Sequence, residues 1–80
     1  MSHTPHDLAT EFPDLVDRLH ALKQTDSHFH QLCETYATVN HAVYRAESNL
    51  EPTDDLHLEE MKKQRMHLKD QIYAALRHHP

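Results

Sequence analysis

Phe29, Leu32, Tyr36, Val39, Val43, Ala46 and Leu50 follow one another at alternating steps of three and four residues, seven apolar positions in succession. That spacing is a heptad seam and predicts one long amphipathic helix over about 27–49. Thr25, Asp26 and Ser27 stand at its start, all types whose side chains satisfy the free N–H groups of a first helical turn. Pro52 ends the pattern, because it biases Glu51 away from α geometry. Leu58, Met61, Leu68, Ile72 and Leu76 then resume seam spacing and predict a second long helix over about 54–77. Thr53 is its expected cap. Asp54 and Asp55 fall in its first turn and Arg77, His78 and His79 at its end, each where the helix dipole favours that charge. A shorter pattern of Phe12, Leu15, Leu19 and Leu22, with Val16 alongside, predicts a first helix over about 13–24. Pro13 suits its first position, where a missing N–H forfeits no hydrogen bond. Residues 1–10 show little periodicity and read as a flexible N-terminal arm.

Two helices of about 35 Å joined by a short break make antiparallel neighbours. The expected fold is therefore all-α: a short N-terminal helix followed by a long antiparallel helical hairpin, one domain over 11–80. With the turn near 51–52, facing positions sum to about 103. This register sets Leu58 near Ala46, Met61 near Val43, Leu68 near Tyr36, Ile72 near Leu32, Leu76 near Phe29, and Lys69 opposite Glu34.

Composition narrows the function classes. The chain has 80 residues and 9.4 kDa, is 38% hydrophobic, and has a mean hydropathy of −0.84. No apolar run approaches the roughly 20 residues of a membrane span. There is no glycine, which argues against phosphate-cradling loops. Thirteen acids against eight bases give a net charge of −5, the wrong sign for a nucleic-acid surface. The ten histidines would carry the charge from −5 to +5 if all were protonated. One cysteine, Cys33, cannot form an intrachain disulfide, and no signal peptide opens the chain, so a cytoplasmic location is expected.

Four groups of residues bear on chemistry. His30, Cys33 and Glu34 share one side of their helix at metal-ligand spacing, but no second cluster completes a site, and surface histidines beside a small hydrophobic cysteine are the preferred account of them. Cys33 with a histidine is a formal nucleophile and base, yet a helical hairpin offers little pocket. No metal, cofactor or catalytic residue is assigned. Lys62, Arg65 and Lys69 form a basic stripe, which fits phosphate contacts or local pairing with acids, as Glu59 four residues before Lys63 does. Met66 and Tyr73 form a second apolar strip about 110° from the seam, for the first helix or another subunit to cover.

The blocks Phe12-Pro13, Leu19-His20-Ala21-Leu22-Lys23, Asp26-Ser27-His28-Phe29, Arg45-Ala46-Glu47, Glu51-Pro52-Thr53 and Met61 through Asp70 occur in an order that resembles the YdcH-like family of small bacterial proteins of unknown function. Met61 and Met66 stand where leucine is usual there, and Gln71 where glutamate is common. The resemblance implies a cytoplasmic helical hairpin and supplies no catalytic residue, cofactor or partner. The function expected is a small non-enzymatic interaction protein that self-associates as a homodimer, with Met66, Tyr73, Lys62, Arg65 and Lys69 as interaction residues and an unidentified protein partner as a further possibility. A nucleic-acid-associated protein using the basic stripe is the alternative.

Overall fold

The computed structural model describes residues 5–48 and 53–78. Asp7 opens a first helical turn, α1 (Leu8–Glu11), by accepting a hydrogen bond from the Thr10 amide at 2.8 Å. Phe12 leaves helical geometry, and a 3₁₀ turn over Pro13–Leu15 leads into α2 (Val16–Thr25). Asp26 is extended, and its carboxylate accepts from the Phe29 amide at 3.1 Å to start α3 (Ser27–Glu47). The last element is α4 (Asp55–His78). Among the described residues there is no strand, and the architecture is all-α as the apolar spacing predicts.

Several boundaries differ from that reading for local reasons. Residues 8–10, assigned to a flexible arm, are helical together with Glu11 because Asp7 caps them. Residues 13–15 form a tighter turn because Phe12 before them and Leu15 at their end depart from α geometry. Asp54, not Thr53, caps α4: its carboxylate accepts from the His57 amide at 2.7 Å. The Glu51-Pro52 break and Leu50 lie outside the described residues.

α3 and α4 pack along their length as a hairpin, and Asn40 meets Arg65 two positions from the expected register. The core cluster joins Phe12, Leu19 and Leu22 to Phe29, Cys33 and Tyr36 of α3 and to Leu68, Ile72 and Leu76 of α4. At one end Arg18 Nη1 donates to the Leu76 carbonyl at 2.8 Å, a carbonyl in the last turn that has no helical partner. The buried arc of α3 is Phe29, Cys33, Tyr36, Asn40 and Val43, whereas Leu32 and Val39 are only half-buried. The arc is turned from the predicted seam because α3 is covered from two sides, by α4 and by α2 with the segment before it. The cluster ends at Tyr36 and Leu68. The hairpin runs on past it to Glu47 and Asp55.

Candidate interaction site

A polar cross-link sits where the N-terminal segment crosses the hairpin. Asn40 is 3% exposed, the one buried polar side chain among the described residues. Its Nδ2 donates to the Pro5 carbonyl at 2.9 Å, and its Oδ1 accepts from Arg65 Nη1 at 3.0 Å. Arg65 cannot accept, so this amide orientation is the one that satisfies both neighbours. The Tyr36 hydroxyl donates to the His6 carbonyl at 2.7 Å. Burial, with Glu11's negative charge adding to it, pushes the Tyr36 phenol pKa up and keeps it a donor. His6 has φ +67°, a left-handed geometry that a non-glycine residue adopts only under constraint.

One turn further along α4, Lys69 Nζ bonds Glu11 Oε1 at 2.6 Å. Lys69 also lies 5.9 Å from the centre of the Phe12 ring. That ring stacks on Tyr73 with centroids 5.6 Å apart and planes 8° from parallel, and Arg77 lies 5.5 Å from the Tyr73 ring centre. The hydrogen bond from Lys69 holds the Glu11 carboxyl below its usual 4.5, against the opposing effect of burial, and His6 Nδ1 at 3.5 Å adds to the lowering. A depressed carboxylate stabilises the fold above its unfolded pKa and ceases to as pH falls through the folded value. The melting temperature of Lys69→Met should therefore lie below that of the wild type at pH 6, and the gap should close as pH drops below 4.5. A gap independent of pH would mean that Lys69 acts by packing alone.

The basic stripe is thus engaged along its length. Lys62 Nζ lies 2.9 Å from Glu47 and 4.0 Å from Glu59, and Glu47 pushes its ammonium pKa up. Glu59 takes Lys62 where the sequence paired it with Lys63, and Lys69 takes Glu11 where the hairpin register set it opposite Glu34. The apolar strip divides: Phe12 covers Tyr73, leaving it 42% exposed, while Met66 remains 60% exposed. The structure brings His30 Nε2 within 3.5 Å of Glu34 but turns Cys33 into the core. Among the described residues no group of three or more His, Cys, Asp or Glu is arranged to hold a metal ion. Burial pushes the Cys33 thiol up to about 11, away from the thiolate a nucleophile needs. A groove of about 720 Å³ lies beside it, but Lys23 and Arg45 are balanced there by Asp7 and Glu34. Among the described residues no helix is long and apolar enough to cross a membrane.

Residues 29–76 match the model of a family described as protein of unknown function (DUF465). The chain belongs to that family. No curated protein and no solved structure matches it. The DUF465 segment begins at Phe29 and ends at Leu76, so it takes in α3 and most of α4. Tyr36, Asn40, Arg65, Lys69 and Tyr73 all fall inside it. The residues they hold, Pro5, His6, Glu11 and Phe12, fall outside. The sequence reading placed Tyr36 on the seam as an apolar position and singled out nothing at Asn40, because a polar residue beside the seam carries no periodic signal.

Proposed function

We propose that this chain is a small non-enzymatic interaction protein that self-associates as a homodimer. The observation that carries this is the open end of the hairpin. Beyond the core cluster, Val43 is fully buried, yet Leu58 and Met61 are only half-buried, and Leu56 is 72% exposed. Met66 continues the uncovered surface. Two such ends packed as a four-helix bundle around a two-fold axis would cover these side chains with the same patch on each copy. The inert Cys33 thiol supports reading the chain as a non-enzyme. We place it among YdcH-like members of its family on the residue blocks quoted above, and in the cytoplasm on its one free cysteine. The nucleic-acid alternative draws less support, because Lys62, Arg65 and Lys69 each already bind an acid or an amide of this chain.

Leu56→Glu with Met66→Glu should weaken the dimer by at least about tenfold, since each would bring a carboxylate into a desolvating contact. Lys63→Glu, on an exposed position, should weaken it far less. Light scattering behind size exclusion over a concentration series reads the difference. Equal effects of the two changes would place the contact elsewhere and reject the reading.

A further inference from the structure

Residues 5–12 cross the hairpin in the manner of a bound polypeptide. Asn40 Nδ2 and the Tyr36 hydroxyl donate to two consecutive main-chain carbonyls, those of Pro5 and His6. Lys69 then takes the Glu11 carboxylate, and Tyr73 takes the Phe12 ring face to face. Two contacts read only backbone, and two read an acid followed at once by an aromatic ring. We propose that this row on α3 and α4 is a docking cleft for an acidic-aromatic polypeptide segment of a partner protein, and that the chain's own residues 5–12 occupy it in cis.

Four observations support the cleft. Its donors are specialised: Tyr36 is 1% exposed and Asn40 3%, and buried donors need acceptors, here main-chain carbonyls. Arg65 holds Asn40 Oδ1, which aims Nδ2 at the incoming carbonyl. The occupant, secondly, is anchored to the core by two apolar side chains, Phe12 and Leu8. It joins α2 through one 3₁₀ turn that follows Phe12 and ends on Leu15, both out of α geometry. Within itself it keeps the Asp7 cap and two main-chain bonds, from Glu11 to Asp7 and from Phe12 to Leu8. A helix of four residues has no stability alone, so leaving the cleft and unfolding are one event. Thirdly, the cis segment fits under strain, with His6 at φ +67°. A partner segment with glycine at that place would seat the same carbonyl without it. The charge is complementary: Lys69 faces the acid, and Arg77 lies over the ring that receives the aromatic residue. This cleft is separate from the open hairpin end, so self-association and peptide docking can fail independently.

The test uses the full chain and a fluorescent, end-capped peptide with the sequence of residues 5–12. Phe12→Ala loosens the cis occupant, and the peptide should bind this variant at least about tenfold more tightly than the wild type. In that background Lys69→Met should weaken binding by about tenfold, and so should Glu11→Gln in the peptide, without further loss when the two are combined. Amide hydrogen exchange on the wild type tests the same idea with no substitution. Glu11 and Phe12 amides should exchange at least about 100-fold faster than those of Tyr36 and Ile72, through local opening of the segment. The proposal would be overturned by no peptide binding to a folded Phe12→Ala chain, by binding indifferent to Lys69→Met, or by exchange of residues 11 and 12 only at the rate of the core. Loss of self-association in Phe12→Ala would also overturn it, by making the second copy's segment the occupant.

Discussion

Phe29→Ala should remove a large share of the chain's stability at 25 °C. Phe29 is 2% exposed and lies where α2, α3 and α4 meet, among Leu19, Leu22, Cys33, Ile72 and Leu76. Truncating a buried phenylalanine costs about 3–5 kcal/mol, the transfer of the ring plus the void it leaves. A domain of this length has a total stability of only about 4–12 kcal/mol. The loss therefore takes a large share of the whole, and the urea midpoint followed by far-UV circular dichroism should fall accordingly. Lys63→Ala, at an exposed position, should change the stability by less than about 0.5 kcal/mol. A loss below about 1 kcal/mol for Phe29→Ala would mean that the three elements do not share one core.

Asn40→Leu should be the second most damaging change, at about 1–3 kcal/mol, although it places an apolar side chain at a buried position. Leucine can neither donate to the Pro5 carbonyl nor accept from Arg65. Arg65 then loses its acceptor while its stem stays half-buried in the hairpin. Adding Arg65→Met to Asn40→Leu should recover part of the loss, because the polar pair is then replaced as a pair. In a double-mutant cycle the coupling between positions 40 and 65 should reach about 0.5–3 kcal/mol. Strict additivity would show that the two side chains do not act together.

The two long helices were legible because each carries its own signal. Phe29, Tyr36 and Val43 fall on the heptad seam, and Leu68, Ile72 and Leu76 answer them at the same spacing. The rest was hidden for two reasons. A period identifies one face of a helix, but α3 is packed from two sides, so Cys33 and Asn40 are buried deeper than Leu32 and Val39. The contacts of the N-terminal segment also span the chain. Tyr36 reaches His6 across 30 positions, Asn40 reaches Pro5 across 35, and Lys69 reaches Glu11 across 58. Asp7, Thr10 and Glu11 interrupt any apolar pattern because they serve as cap, capped amide and ion-pair partner, and such a segment reads as a loose arm. Tyr73 was seen as apolar surface awaiting a cover, but nothing local names Phe12 as that cover. Thr53 and Asp54 are both capping types, and only the bond from the His57 amide decides between them.

Sedimentation equilibrium of the unmodified chain at tens of micromolar tests most directly the claim that the open hairpin end is a contact between copies. The expected result is a species of twice the 9.4 kDa chain mass, dissociating on dilution. A strictly monomeric 9.4 kDa species with a cooperative thermal transition would contradict it: α2 and the segment before it would then close the core unaided, and Leu56 and Met66 would be ordinary surface.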